Sequence, residues 1–434
     1  MPRGLEVLGS PATRSCYGLP GARRRTSESG IHAVKKLSTR YKDWLNHRAK
    51  REARRALEKK KRFRKGRKKR VYKKIVTAWF GDRIEKMLSV NPPHLPPSVL
   101  CLADNTSDTL EFLHRWRSNV AIRTDGPPVE EYHWELPPHR GRKLRRVPMY
   151  TDFSVISEMS TSVAIIIAAE YDRAHRLIGT NAPTIDIDQW HDGVFQRLFE
   201  LGFFEIVGLT ENVAELYRDE NQIRTMRIIT GSNAQDIKHA SESLIELSSF
   251  IDADGPMSDD LVVALNSALG EAMANVSRHA YQGDIPLEFR SVDAWWITAT
   301  ADRRNRKLTI VFYDQGATIP VTLPRKPLMR TLVDMLRRPL SSQPEFEFQD
   351  DAIYIEGAMA RGETQTGEPG RGEGLPQMME LVDICGSGSL TIYSRGGMAR
   401  YRCGQDIEIR SFPHSVGGTL IEWEMEFPGG GGNG

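Results

Sequence analysis

The sequence has few cysteines, and their spacing excludes two kinds of site. The four cysteines, Cys16, Cys101, Cys385 and Cys403, form no CxxC pair in 434 residues. Neither a zinc site nor a disulfide framework is therefore expected. This cysteine usage fits a reducing compartment, so we expect a cytoplasmic protein.

Long hydrophobic segments are also missing. The longest strongly apolar run covers residues 163–169, which is far too short to span a bilayer. The first residues lack the apolar core of a secretory signal peptide, so neither a signal peptide nor a transmembrane segment is expected. The pattern GxxxxGK[ST] does not occur, which excludes a P-loop as a nucleotide site.

Charge is abundant and unevenly placed. The chain has 60 Lys and Arg against 56 Asp and Glu, a net charge of +4. Residues 48–74 hold 17 Lys and Arg against Glu52 and Glu58, a local charge of +15 that leaves −11 for the rest. Basic arms bind nucleic acid or anionic membrane surfaces by releasing counterions. The candidate partner of 48–74 is therefore nucleic acid or an anionic surface, and a solubilising tail without a partner is the alternative.

Composition changes mark the first segments of the chain. Residues 1–30 are rich in Gly, Pro, Ser and Arg and are expected to be disordered. Residues 31–90 have a helical pattern with apolar side chains only near the two ends, which predicts a basic helical arm. The prolines of residues 91–96 are typical of a linker.

Two α/β domains are expected after this linker. Residues 97–212 alternate short strands with helices, which predicts a small α/β domain. Residues 225–428 contain a helix over 257–281, and the tail at 429–434 is glycine-rich and expected to be flexible. Four strands are legible in this second domain, at 295–301, 307–314, 389–394 and 418–427.

The stretch from Leu265 to Tyr281 predicts an amphipathic helix with two functional groups on one face. Glu271 and Asn275 are four residues apart, so their side chains are neighbours on the helix. A carboxylate can orient or deprotonate a nucleophile, and an amide oxygen can bind Mg²⁺. Taken alone, such a pair is more typical of a solvated helix face.

Two further motifs follow downstream and change this balance. Asp314 ends a predicted strand, where it can accept a hydrogen bond from an amino group of a flat ligand, and Gly316 lets a ligand approach the backbone. Gly370, Gly372 and Gly374 then open a helix whose backbone N–H groups are suited to hold phosphate. This order, ExxxN, then strand–DxG, then GxGxGL–helix, favours one nucleotide site over chance.

These motifs, together with EAMANVSRHAY at 271–281, resemble the GHKL superfamily, which includes gyrase B, heat-shock chaperones, MutL and sensor histidine kinases. The helix is most similar to the EAxxNxxxHAY helix of anti-sigma-factor serine kinases. The resemblance covers residues 225–428 and implies the Bergerat fold, an α/β sandwich of helices over a mixed sheet, with ATP and Mg²⁺ as cofactors. Residues 97–212 weakly resemble STAS-type domains, which are partners and substrates of those kinases.

The resemblance also implies a role for each motif residue. Glu271 would be the general base and Asn275 the Mg²⁺ ligand. Asp314 would read adenine, with Gly316 beneath the base and Thr419 supporting the aspartate. The phosphates would be covered by the glycine loop and its arginine, namely Gly370, Arg371, Gly372 and Gly374.

One position departs from the family pattern. The second glycine of its DxGxG motif is replaced by Thr318, which restricts the backbone and adds a β-branched side chain. The resemblance further implies two helices and a mobile lid over 328–370. Arg361 and Arg371 would either meet the γ-phosphate or be surface residues of that lid.

Three functions stay open at this point. The first is a Mg-ATP-binding regulatory protein that acts as a serine/threonine kinase of the anti-sigma type on a protein partner. The second is a catalytically slow or silent ATP-binding scaffold. The third is a nucleic-acid-associated ATPase, which the basic arm favours, although no transducer domain is recognisable after Phe427.

Overall fold

The structure is a computed structural model and describes residues 39–66, 73–81, 83–132, 144–147, 149–209, 213–219, 222–231, 234–251, 257–325, 346–360 and 374–427. The chain divides into two units, Met1–Arg70 and Val71–Gly434. In the stretches above, no helix is both long enough and apolar enough to cross a membrane. The predicted disordered segment 1–30 and the tail 429–434 lie outside the described residues.

The first unit contributes helix α1 (Thr39–Gly66). Its described side chains are all exposed, including Trp44 at 49% and Leu57 at 58%. Arg48 and Glu52 form an ion pair across one helical turn, with 3.1 Å between Nε and Oε1. The helical part of the predicted basic arm is confirmed over these residues.

The predicted arm is wrong beyond this helix. Strands β1 (Lys74–Phe80) and β2 (Arg83–Ser89) form an antiparallel hairpin in the second unit. Val76 and Ala78 are buried on it, whereas Ile75 is 61% exposed. The apolar residues that suggested a helical stripe also fit the two-residue period of a strand. Because the apolar run is short, the strand is the better interpretation.

The proline-rich segment predicted as a linker is held by backbone pairing. The His94 N–H donates to the Tyr150 carbonyl at 2.8 Å, and the Asp152 N–H donates to the His94 carbonyl at 3.1 Å. Residues 91–96 therefore run alongside the chain near 150 and belong to the second unit.

The remaining elements of the second unit make it a mixed α/β structure. The helices are α2 (Thr106–Val120), α3 (Thr161–Ile178), α4 (Asp192–Leu201), α5 (Phe203–Ile206), α6 (Ala234–Ser248), α7 (Asp259–Asn275), α8 (Ile319–Thr322), α9 (Asp351–Met359) and α10 (Gly374–Cys385). The strands are β3 (Val99–Leu100), β4 (Arg146–Val147), β5 (Glu158–Met159), β6 (Thr184–Ile185), β7 (Ile223–Thr225), β8 (Ile229–Gly231), β9 (Trp295–Asp302), β10 (Lys307–Asp314), β11 (Gly388–Ser394), β12 (Gly397–Tyr401), β13 (Glu408–Ser411) and β14 (Thr419–Glu426).

The largest sheet has the strand order β13-β12-β11-β14-β10-β9-β7, with β8 also paired to β9. The four strands predicted in the second domain are β9, β10, β11 and β14, so their existence is confirmed. Every pairing in this sheet is antiparallel among the described residues, and the mixed sheet that the resemblance implied is therefore wrong for them. A smaller sheet, β4-β2-β1-β6, does mix parallel and antiparallel pairs.

Helices cover both faces of the largest sheet. On the front face, side chains of α6, α7 and α10 pack against alternate strand residues such as Ile310 and Phe312. On the back face, the apolar helix α3 packs with Val311 and Tyr313. Because β10 is buried on both sides, it reads as an almost continuous apolar run.

Helix α3 is also fixed to the back face by polar contacts. The Ser162 hydroxyl donates to the buried Glu422 carboxylate on β14. The Thr161 hydroxyl bonds the Thr300 hydroxyl on β9 at 2.8 Å. Buried polar groups must be paired to avoid a desolvation cost, so these contacts set where α3 lies on the sheet. The hydrophobic cluster on the back face contains residues of both predicted segments, 97–212 and 225–428.

Candidate functional site

Helix α7 carries the pair Glu271 and Asn275. The Ser258 hydroxyl caps its start by accepting from the Leu261 N–H at 3.3 Å. Leu265 and Leu269 are fully buried against the front of the sheet. Glu271 and Asn275 are half-buried, at the border between the packed stripe and the surface. The predicted helix places both side chains where a ligand can reach them.

A π-helical turn extends α7 from Val276 to Ala280 and joins it to the loop after β10. The Ala280 carbonyl accepts from the Ala317 N–H at 2.6 Å. A Cβ added to Gly316 would overlap the Ala280 carbonyl oxygen and lie 2.5 Å from its Cβ. The glycine was expected to leave room for a ligand. Here the missing side chain also lets the helix end approach the loop.

Asp314 is the last residue of β10 and lies opposite Thr419, the first residue of β14. It is 5% exposed, and its Oδ1 accepts from the Gly316 N–H at 2.9 Å. Burial raises the pKa of the Asp314 carboxyl to about 7, although the hydrogen bond from Gly316 acts in the opposite direction. The structure therefore brings Asp314, Gly316 and Thr419 together.

Two residues that support this end of the site were missed by reasoning from the sequence. The Ser394 hydroxyl is 2.9 Å from the Thr419 hydroxyl and accepts from the Ile319 N–H at 2.9 Å. The Tyr281 hydroxyl donates to the Ala294 carbonyl at 2.6 Å and accepts from the Gln315 N–H at 3.1 Å. Tyr281 ends the recognised helix motif, which was its only signal. Ser394 had none, because only strand register places it beside Thr419.

The start of α10 lies beside Glu271. A Cβ added to Gly374 would be 2.5 Å from the Glu271 Oε2. The two helices are further joined by the Ser267 hydroxyl, which donates to the Gln377 side chain at 3.4 Å. The other residues predicted for the phosphate loop, Gly370, Arg371 and Gly372, lie outside the described residues, as does Arg361.

The described residues thus form two groups along α7. Glu271 and Gly374 lie at one, and Asp314, Gly316 and Thr419 lie at the other, next to Ala280. Glu271 and Ala280 are nine residues apart in one continuous helical segment, roughly 13 Å at the rise of a helix. This spacing suits an elongated ligand with one end in the sheet and the other beside the carboxylate.

Thr318 causes no backbone strain where the family has glycine. Its φ of −88° and ψ of 160° are ordinary for a β-branched residue. Its carbonyl accepts from the Val321 N–H at 2.9 Å, at the start of the short helix α8. The restricted backbone freedom expected at this position is therefore compatible with the conformation that the loop adopts.

The charge available for a metal ion is limited. Within the ranges that the structure describes, no group of three or more His, Cys, Asp or Glu side chains could hold a metal by itself. Mg²⁺ is commonly bound by one or two protein oxygens together with the phosphates of a substrate. The Asn275 amide and the Glu271 carboxylate suit that shared arrangement.

Comparison with known proteins assigns no family. No family model matches the chain, and no curated protein matches it significantly.

The raised pKa of Asp314 predicts a pH dependence of stability. The folded protein holds a proton that the unfolded chain releases near its ordinary pKa of 3.8. This stabilisation is complete below about pH 4 and is lost as the pH rises to about 7. We expect the free energy of unfolding of the wild type, relative to Asp314→Asn, to fall by on the order of 2–4 kcal/mol over that range. Urea unfolding from pH 4 to 8 measures it, and a difference that does not change with pH would contradict it.

Proposed function

We propose that residues 225–428 form a Bergerat-type ATP-binding domain of the GHKL class and that the protein is a Mg-ATP-dependent regulatory protein. One observation carries the proposal. The separate motifs of the sequence meet at two places on one helical segment, nine residues apart, with Gly374 against Glu271 and Gly316 against Ala280. The helical layer of α6, α7 and α10 over one sheet face supports the same assignment.

The chain's own residues fit the adenosine part of ATP. Asp314 is buried at a strand end and keeps carboxylate oxygens for an amino group, because the Gly316 N–H is its one hydrogen-bond donor among the described residues. The contact between the Ser394 hydroxyl on β11 and the Thr419 hydroxyl on β14 holds these two strands in register. Ionised Asp314 would be the better acceptor, so adenine nucleotides would bind more tightly above pH 7 than below it.

The part of α7 around Glu271 and Asn275 fits the phosphates. Glu271 would orient and deprotonate a hydroxyl of a protein serine or of water, since it is half-buried beside Gly374, the first residue of α10. Asn275 would hold Mg²⁺, which neutralises phosphate charge when bound. Gly374 N–H and the glycines before it would contact the phosphates. A kinase of the anti-sigma type and a simple ATPase share these roles and differ in the hydroxyl that is deprotonated.

The assignment of residues 97–212 as a STAS-like domain is a weaker proposal. The alternation of short strands and helices supports it. Against it, strands β3, β5 and β6 are two residues long, and the segment's main helix, α3, packs on the back of the large sheet.

The proposal is tested by ATP binding to the full chain in the presence of Mg²⁺. We expect binding by the wild type and at least about a tenfold loss in Asp314→Asn, because one hydrogen bond to a charged group is worth about 1.5–3 kcal/mol. Asp406→Asn is the control, since Asp406 is exposed. Unchanged affinity in Asp314→Asn would overturn the site.

Incubation with γ-labelled ATP then separates the three functions. Label on a protein serine supports the kinase. Free phosphate that increases with added DNA supports the nucleic-acid-associated ATPase. Binding without turnover, unchanged in Glu271→Ala, supports the scaffold.

A second function is proposed for α1, as a contact with an anionic polymer or surface. The exposed side chains of its described part and the excess of Lys and Arg carry this proposal. Affinity for duplex DNA or for anionic vesicles should fall steeply with salt in the full chain and disappear when the basic residues of α1 are replaced by Gln.

A further inference from the structure

A cavity of about 230 Å³ lies in the second unit between helices α2 and α3 and the small sheet. It is far from the residues of the proposed ATP site in sequence, and none of them lines it. Its rim includes Asn119 and Met149, which are exposed, so the cavity opens to solvent.

Aromatic side chains form the walls of this cavity and are held by packing. Trp116 and Phe203 are each 1% exposed, and Trp190 is 7% exposed. The Tyr171 ring lies 5.9 Å from that of Trp116 and meets the Phe203 ring edge-on at 5.2 Å. A wall of fixed rings is preformed, so little conformational entropy is lost when a ligand enters.

Among the described residues that line the cavity there is no Asp, Glu, Lys or Arg. The Lys74 ammonium group lies over the ring of the lining residue Tyr150 at 5.9 Å and is paired with Asp152 at 3.4 Å and Asp186 at 3.5 Å. His94, a lining residue, is kept neutral, because burial and Arg115 lower its pKa. A charged ligand would be desolvated here without a partner, which is costly.

We propose that this cavity binds a small uncharged molecule with one or two aromatic rings. An apolar cavity of about 150 Å³ is enough for benzene, so a two-ring molecule suits this volume. Rings of the ligand would pack edge-on or offset against Trp116, Tyr171 and Phe203. The neutral polar groups of Asn119 and Thr151 can meet a single polar atom of the ligand.

Calorimetry of the full chain with indole tests the site. Indole is expected to bind with a negative heat-capacity change, and indole-3-acetate, which adds a carboxylate, should bind at least about tenfold more weakly. Ala182→Leu and Val120→Phe each reduce the space of the cavity and should weaken indole binding. Val263→Phe is the control, because Val263 is 68% exposed and lies on α7.

Two results would overturn the site. One is the absence of indole binding to the wild type, which would mean a cavity filled with solvent. The other is an equal indole affinity in the control and in Ala182→Leu or Val120→Phe, provided that the variant keeps the circular dichroism spectrum of the wild type. Neither result bears on ATP binding.

A separate observation concerns the loop before Thr419. The buried Arg117 guanidinium on α2 donates to the carbonyls of Val416 at 2.6 Å and Ser415 at 3.4 Å. Its Nε donates to Glu170 on α3 at 2.6 Å. A Cβ added to Gly417 would overlap the guanidinium, so the loop lies directly on it. Arg117 is 3% exposed and Glu170 is fully buried.

We infer that Arg117 positions the loop at 415–418 and thereby holds Thr419 opposite Asp314. The inference rests on the proposed function, because the residues that it aligns are those of the adenine end. It also means that the upstream helices α2 and α3 complete the nucleotide site. Arg117 acts through Thr419 and is a positioning residue.

The test compares Arg117→Lys with Arg173→Lys. Arg173 is also buried and also pairs with Glu170, but among the described residues it makes no hydrogen bond to the loop. We expect Arg117→Lys to weaken ATP binding at least about tenfold more than Arg173→Lys does. We also expect it to make amide hydrogen exchange at residues 416–419 faster. Equal exchange in the two variants would overturn the inference. An absence of ATP binding by the wild type, with faster exchange in Arg117→Lys only, would overturn the function and leave the positioning role.

Discussion

Replacing Glu271 with Gln is expected to lower ATP turnover by roughly 10²–10⁴-fold while ATP affinity changes by less than about tenfold. Removal of a general base costs this much because proton transfer in the transition state is lost. Gln has nearly the same shape, so its contacts with the start of α10 persist. Phosphate release and calorimetric ATP binding, measured on the same preparations, separate the two effects.

The control for this prediction is Glu242→Gln, the same chemical change at an exposed position of α6. It should leave turnover unchanged. Turnover in Glu271→Gln equal to that of the wild type would contradict the role of Glu271 as base. A parallel loss of affinity and turnover would instead assign Glu271 to nucleotide binding.

Replacing Gly418 with Ala is expected to disrupt the adenine end and to destabilise the fold by about 3 kcal/mol. A Cβ at this position would overlap the Asp314 carbonyl oxygen and lie 2.9 Å from the Gln315 Cα. Both neighbours are backbone atoms at the end of a central strand, so they cannot rotate away. The register that places Thr419 opposite Asp314 would be displaced, and ATP affinity should fall by more than about tenfold.

Gly270→Ala is the matched control, because no described heavy atom outside its own helix backbone lies within 4 Å of the added Cβ. It sits inside α7, where Ala is favoured over Gly by up to about 1 kcal/mol. The free energy of unfolding, measured in urea, should therefore fall in Gly418→Ala and rise in Gly270→Ala. If Gly418→Ala and the wild type were equally stable, the strand ends at Asp314 and Thr419 could separate without a loss of stability, which would contradict the prediction.

The sequence predicted the strands and the helix around the candidate site because their patterns are long and regular. β9, β10 and β14 are each eight residues long with apolar side chains at half or more of their positions, and α7 has a continuous helical stripe with a capping serine. Glu271, Asp314 and Gly374 were selected because their motifs follow one another in the order seen in the family that the sequence resembles. Their closeness in space needed the pairing of the strands and the packing of α10 on α7.

Other features depend on contacts that no local pattern encodes. The hairpin β1–β2 was read as helix, since Ile75, Trp79 and Phe80 fit both periods over so short a run. The back layer was assigned to a separate domain because burial of β10 on both faces leaves no alternation to reveal a second partner. Arg117 and Ser394 acquire their contacts only through residues distant in sequence.

Because helices cover both faces of the large sheet, the parts of the second unit are expected to differ in how readily they unfold. β10 and β14 lie in the middle of the strand order, with helices on both faces, so we expect their amide hydrogens to exchange with solvent only when the second unit unfolds as a whole. β13, at one end of that order and only partly buried, can open locally and exchange sooner. The strand that ends in Asp314 is therefore among the last parts of the second unit to be released.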